Sequence, residues 1–470
     1  MKKDERNWDM IHQYKSNGYN IIIDANSGSV HVVDDVAYDV IALYDKGESK
    51  EDITNKILEK YQGKEEITAS DIDDVLSDIE ELKKDGKLFS ESNYQNLAID
   101  FKGRDTVIKA LCLHIAHDCN LACKYCFAGK GEYQGCKSLM SFEVGKRALD
   151  FLIENSGTRR NLEVDFFGGE PLMNFEVVKQ LVAYAREQEK IHNKNFRFTL
   201  TTNGVLLDDE VMEFANKEMH NVVLSLDGRK ETNDRLRVSR NGQGSYDMIV
   251  PKFLKMAESR GQKDYYVRGT YTHYNTDFAA DILHIADLGF KSLAMEPVVA
   301  PPEADYALKY EDLPVLFEQY DILAKEMLKR EKEGRGFTFF HYMVDLEAGP
   351  CIYKRIAGCG VGTEYMAVTP TGELYPCHQF VGNEDFILGN VFDGIKNTEL
   401  RDEFKLCNVY AREKCQDCFA KMYCSGGCTA NAYHSTGSLT GTYDLGCELH
   451  KKRIECAIMM NVARQFNELN

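Results

Sequence analysis

No cysteine occurs in the first 111 residues of this 470-residue chain, although fifteen follow. No window holds about eighteen uninterrupted apolar residues, the least a membrane-spanning helix needs, so no membrane partner is expected. The opening MKKDERNWDMIHQYK is too polar for a secretory signal. Excess basic charge is missing as well: 57 Lys and Arg stand against 75 Asp and Glu, a formal net charge of -18. Phosphate binding rests on basic surface, so nucleic acid is not the expected partner. Solubility is the plain reading of the acidity. Tandem repeats and low-complexity segments are absent. The length suffices for two or three domains, each with its own core.

What is present is clustered thiol. Five cysteines fall from Cys112 to Cys136, nine from Cys351 to Cys447, and Cys456 trails. Without an export signal the chain is expected in the cytoplasm, where thiols stay reduced, so this density points to metal rather than disulfides. Cysteines serving only as small buried hydrophobes would not leave such gaps.

Four regions emerge, with an α/β class overall. Residues 1–95 hold a hairpin-like pair, YNIIID and SVHVVD, and three helical patterns ending in TASDIDDVLSDIEELKKDGK, a winged-helix-like module suited to binding. Residues 105–300 alternate strand and helix, with strands expected at LCLHIA, LEVDFF, FRFTLTTN, NVVLSLDG, DYYVRGTYT and KSLAMEP. Six βα units imply a parallel sheet with right-handed crossovers. An open, partial (β/α)6 barrel is favoured over a doubly wound sheet, because the chemically interesting residues sit at the C-terminal ends of strands. Residues 301–345 form a charged helical connector. Residues 346–470 are rich in cysteine and irregular loop, which calls for a staple.

Cys119, Cys123 and Cys126 stand at C-x3-C-x2-C spacing after the first barrel strand, with no fourth thiol. A structural zinc site closes with four ligands. Three thiolates can instead hold three irons of a [4Fe–4S] cluster and leave the fourth iron open. An unrelated metal or redox site is the alternative on spacing alone. HDCNLACKYC, with Tyr125 before the last cysteine, resembles the signature of radical S-adenosylmethionine enzymes. The resemblance implies that the open iron is chelated by the amino and carboxylate groups of S-adenosylmethionine, whose cleavage yields a 5'-deoxyadenosyl radical. It also assigns Gly168, Gly169, Glu170 and Pro171 of FFGGEPL to the methionine amino group. Thr202, Asn203, Ser225 and Asp227 would face the ribose and methionine end, and Phe127 the adenine. Arg237 is a candidate carboxylate partner or else a surface charge.

Downstream, Cys359, Cys377, Cys415, Cys418, Cys424, Cys428 and Cys447 follow the order C-x12-G-x4-C, C-x2-C-x5-C-x3-C, C. A zinc ribbon is the structural rival, CQDC being a zinc half-site. The pattern resembles the SPASM extension of radical S-adenosylmethionine enzymes that modify peptides. That resemblance implies two auxiliary [4Fe–4S] clusters, three clusters in all. Cys415, Cys418, Cys424 and Cys447 would hold one, and Cys359, Cys377 and Cys428 the other. The latter's fourth ligand would be Cys351 or a thiolate of the substrate. Cys112, Cys136, Cys407 and Cys456 fit no pattern and are read as structural.

The whole is similar to the SCIFF-peptide maturases, which act on short Cys-rich precursors. The implied reaction is an intramolecular thioether between a peptide Cys sulfur and a carbon of another residue, Thr being the expected acceptor. The implied partners are a Cys-rich precursor peptide, bound by its leader along SVHVVD through strand addition, and an external one-electron donor. Rival outcomes are carbon–carbon crosslinking and oxidation to formylglycine. A non-catalytic iron–sulfur scaffold is the rival of another class, and it would have no need of a S-adenosylmethionine pocket.

Overall fold

A computed structural model describes residues 11–64, 67–91, 103, 107–133, 135, 137–346 and 351–468. Cys136 lies outside them. The chain opens with a strand that the sequence reading passed over, β1 (Ile11–Ser16). It pairs antiparallel with β2 (Tyr19–Asp24), which pairs with β3 (Val30–Val33), so β1 and β3 are the two edges of this sheet. Helices α1 (Asp35–Asp45), α2 (Lys50–Lys60) and α3 (Ala69–Lys84) follow. Asp34, Ser49 and Thr68 cap them by accepting from the N–H groups of Ala37, Asp52 and Asp71. Such caps each contribute about 1 kcal/mol.

Ile21, Ile22 and Ile23 are all fully buried, which an ordinary one-sided sheet does not allow. Ile22 packs into the core of the three helices with Val40, Ile41, Ile53 and Ile57. Ile21, Ile23 and Tyr14 join the main core of the molecule instead. The element covering that second face is the C-terminal helix α15 (Asp444–Glu468): Tyr14 Oη donates to the Glu455 carbonyl at 2.9 Å, and the rings of Tyr19 and Phe466 lie 5.5 Å apart.

The barrel strands form where their patterns place them. They are β4 (Ala110–His117), with the short β5 (Ser138–Leu139) against it, then β6 (Asn161–Gly168), β7 (Asn195–Thr202), β8 (Met219–Ser225), β9 (Tyr265–Tyr271) and β10 (Ser292–Pro297). Between them run α4 (Phe142–Glu154), α5 (Phe175–His192), α6 (Asp209–Glu218), α7 (Lys230–Leu236), α8 (Tyr246–Ser259) and α9 (Phe278–Asp287). The six long strands are parallel in the order β4, β6, β7, β8, β9, β10. Leu111, Leu113 and Ile115 turn toward the helices, so alternation turns Cys112 and His114 inward.

Five short strands lengthen this sheet, one at one end and four at the other. After α10 (Leu313–Lys332), β11 (Thr338–Phe339) adds in parallel to β10. Beyond α11 (Ile352–Ala357), β12 (Tyr365–Val368) adds in parallel to β4 and turns into β13 (Glu373–Tyr375). The path continues through β14 (Gly389–Asn390) to end at β15 (Gly394–Ile395), and β11 and β15 do not pair, so the barrel is open. The remaining cysteines lie around α12 (Thr398–Leu406), α13 (Lys421–Cys424), α14 (Thr429–Thr436) and α15. Among the described residues no helix is long and apolar enough to cross a membrane.

Candidate active site

The loop after β4 carries Cys119, Cys123 and Cys126, each half-buried and free of disulfide. It is stitched to the turn after β6: Gly169 N donates to Ala116 O at 2.8 Å, and Glu170 N to Asp118 O at 2.9 Å. That crossing explains the glycines. A Cβ on Gly169 would run into the Asp118 carbonyl oxygen, and one on Gly131 would lie 2.9 Å from Cys119 Cβ. Burial pushes the Cys119 thiol up to about 12, with Glu170, Cys123 and Cys126 adding to the effect. A bound cation would reverse that balance, because metal ligation requires the thiolate.

Glu170 is the buried centre of the adjoining pocket. Its carboxylate accepts from Thr202 Oγ1 at 2.8 Å, Asn203 N at 2.8 Å and Leu172 N at 3.1 Å. Burial nevertheless raises it to about 7. A cationic ammonium placed there would restore the charged form. Pro171 starts the single turn that Glu170 caps. Asn203 Nδ2 donates to Asn120 Oδ1 at 2.7 Å and lies 3.5 Å from Cys119 Sγ, so the ends of β4, β6 and β7 meet at one point.

A second buried set adjoins Cys123. Tyr125 Oη donates to Asp227 Oδ2 at 2.7 Å, and Arg237 Nη1 donates to Tyr125 Oη at 2.8 Å. Arg237 is 8% exposed, which removes the surface-charge alternative for it. Asp227 also accepts from Thr270 N at 3.1 Å, tying in the end of β9. Among the described residues, two buried donors of this wall, Arg237 Nε and Asn120 Nδ2, meet no protein acceptor. Ser225 is half-buried at the end of β8, in register with Arg268 of β9. Phe127 is 50% exposed, with its ring 5.9 Å from Tyr133 and 5.5 Å from His378, the residue after Cys377.

The later cysteines gather as two sets. Cys424 is burdened electrostatically by Cys447, Cys415 and Cys418, and burial pushes it up to about 12. Cys377 is burdened in turn by Cys428 and Cys359. Cys351 is exposed at the N-terminus of α11. Cys112 is buried beside Cys377 and takes a hydrogen bond from Tyr365. Cys407 and Cys456 are buried and outside both sets.

The barrel interior also holds a polar group that the sequence reading missed. Glu296, at the end of β10, lies 3.3 Å from His341 Nε2 and 3.7 Å from Arg453 Nη1. Arg453 in turn bonds His341 Nδ1 at 3.0 Å and His450 Nδ1 at 2.6 Å. These partners come from α15 and the turn after β11, which no local pattern joins. Only the position of Glu296 at a strand's C-terminal end could have flagged it.

Among the described residues no three His, Cys, Asp or Glu side chains converge as a single metal ion requires. A [4Fe–4S] cluster makes no such demand, since each of its irons takes its own thiolate. The free thiols, the glycine crossing and the two orphaned donors beside a buried carboxylate fit such a cluster with an amino-acid-bearing ligand.

The family model described as the Radical SAM superfamily matches residues 113–295, and the SPASM model, an iron–sulfur cluster-binding domain, matches residues 359–419. The cysteine-type anaerobic sulfatase-maturating enzyme of Clostridium novyi is 24% identical over 338 residues, covering 67% of this chain and 86% of its own length. The radical SAM cyclopropyl synthase TigE of Paramaledivibacter caminithermalis is 20% identical over 487 residues, covering 96% and 92%. Streptococcus suis SuiB bound to S-adenosylmethionine shares the fold, with a TM-score of 0.52 at 18% identity, covering 93% of this chain and 99% of that one.

Proposed function

The chain belongs to the radical SAM superfamily and carries a SPASM iron–sulfur domain, and from that premise we propose that it modifies a precursor peptide by joining a Cys sulfur to a carbon of another residue, Thr being the expected acceptor, in an intramolecular thioether. Cys119, Cys123 and Cys126 would hold the cluster that binds S-adenosylmethionine. Cys415, Cys418, Cys424 and Cys447 would hold a second and Cys359, Cys377 and Cys428 a third, with electrons entering from an external one-electron donor. Bound there, these groups supply hydrogen-atom removal from an unactivated carbon and acceptance of a surplus electron.

The chain's own residues bind and shield. Glu170 takes the methionine ammonium, held in place by Thr202 and Asn203. Arg237 offers Nε to the carboxylate, with Tyr125 and Asp227 fixing its guanidinium. Pro171 sets the turn that aims Glu170, and Phe127 lies across the mouth toward His378. Strand β3 offers its outer edge to the leader segment.

The observation that carries the reading is that Cys428 and Cys359 act together on Cys377, three thiols in one neighbourhood, while Cys351 is exposed. In our reading a cysteine of the peptide completes that set. A C119A variant, reconstituted with iron and sulfide, tests this by electron paramagnetic resonance. A Cys-containing precursor peptide should change the auxiliary signal and its Cys→Ser version should not; identical spectra would reject the reading.

Carbon–carbon bond formation is the second reading, favoured by similarity to a cyclopropyl synthase along nearly the whole chain. Formylglycine formation is less favoured, because the sulfatase-maturating relative leaves about a third of this chain unmatched. The first two differ in whether a peptide thiol is lost.

A further inference from the structure

The N-terminal sheet is fixed to the rest of the molecule by chemistry that neither the barrel nor the cysteine sets use. Side chains of β1 alternate between two anchors. Gln13 Nε2 donates to Tyr38 O at 2.9 Å, and Lys15 pairs with Asp35 at 2.7 Å, holding one face to α1. On the other face the His12 ring lies flat on Phe419, with centroids 3.6 Å apart and planes 2° from parallel. His12 Nε2 is 2.8 Å from Glu455 Oε1, and Tyr14 Oη donates to the Glu455 carbonyl. Phe419 directly follows Cys418, and Glu455 shares α15 with Cys447. Ile21 and Ile23 bury the same face completely. A module that swung freely would need a solvated face there, and this sheet has none.

The opposite edge has no backbone pairing among the described residues. Among the described residues β3 pairs only with β2. Asp24 N donates to Ser29 O, so the alternation of an antiparallel ladder turns the backbone groups of Val30 and Val32 outward. That edge lies two strand spacings from β1, roughly 10 Å.

We propose that the anchoring of β1 on Phe419 and α15 makes this sheet a ruler: it fixes the distance from the leader's seat on β3 to the pocket, and so selects which residue of the peptide is modified. The inference rests on the reading that the chain modifies a peptide held by its leader. A tethered but mobile module would raise the local concentration of substrate without choosing a position. A clamped one leaves the number of residues between leader and pocket as the free variable.

The test uses the full-length reconstituted enzyme and a precursor peptide whose core carries one cysteine and threonines at successive positions. A second peptide has Gly-Ser inserted after the leader. Tandem mass spectrometry maps the modified residue for wild type, His12→Ala and Tyr14→Phe, the last keeping its ring in the core and losing only the bond to Glu455. Wild type should shift its modified position by the two inserted residues. Both variants should spread modification over neighbouring threonines while cleaving S-adenosylmethionine without peptide at the wild-type rate. A wild-type position insensitive to the insertion, or variants as selective as wild type, would overturn the ruler. A wild-type enzyme that leaves both peptides unmodified would overturn the peptide reading itself.

Discussion

Glu170 and Asp165 are both carboxyls raised by desolvation, the first buried and the second half-buried, and they differ in what surrounds them. Glu170 receives three hydrogen bonds and faces the pocket, so Glu170→Gln should weaken S-adenosylmethionine binding about 10-fold or more in equilibrium dialysis of the iron-loaded protein. Unchanged affinity would remove it from the ammonium site. Asp165 lies inside the barrel with Thr199 as its hydrogen-bond partner, and burial lifts it to about 6, aided by Glu163. Between the ordinary carboxylate range and pH 6 the folded chain keeps a proton that the unfolded chain has released. Stability therefore falls as pH rises through that window, and the full penalty, roughly 3 kcal/mol, persists above it. Asp165→Asn should flatten this slope in urea titrations across pH 4 to 7; an unchanged slope would contradict the assignment.

At the scale of elements, most of the barrel was legible because its strands are short apolar runs punctuated by turn residues, and five of the expected site residues, Glu170, Thr202, Asn203, Ser225 and Asp227, fall at or just past their C-terminal ends. Strand β1 was not legible. His12, Gln13 and Lys15 carry no apolar alternation, and their partners Phe419, Glu455, Tyr38 and Asp35 are remote in sequence. The same holds for the interior group around Glu296, assembled from β10, the turn after β11 and α15. Conversely, the Ile21–Ile22–Ile23 run carried a signal of two-sided burial that a hairpin reading does not exploit. Removing residues 1–95 should therefore uncover apolar surface on α15 and cost solubility, which analytical ultracentrifugation would detect as aggregation. A gentler change, Val32→Pro, deletes an outward N–H of β3. It should lower peptide turnover at least several-fold while S-adenosylmethionine cleavage without peptide stays at the wild-type rate. Equal loss of both would make the β3 edge purely structural.

For the molecule as a whole, the sheet path joins the two chemically distinct halves. Strand β12 of the cysteine-rich region adds directly to β4, whose end carries the first three thiols, and Phe127 after Cys126 meets His378 after Cys377. The account therefore separates cofactor cleavage from peptide chemistry by residue. Cys119→Ala should abolish S-adenosylmethionine cleavage under reducing conditions, and Cys428→Ala should retain cleavage yet yield no modified peptide, both read by chromatography of the cleavage product. The most direct test is mass spectrometry of a Cys-rich precursor peptide after anaerobic incubation with the reconstituted enzyme. The thioether account predicts a loss of two hydrogens together with one cysteine that no longer takes up an alkylating reagent. The same mass loss with every cysteine still alkylated would contradict it and leave carbon–carbon bond formation or oxidation of a serine instead.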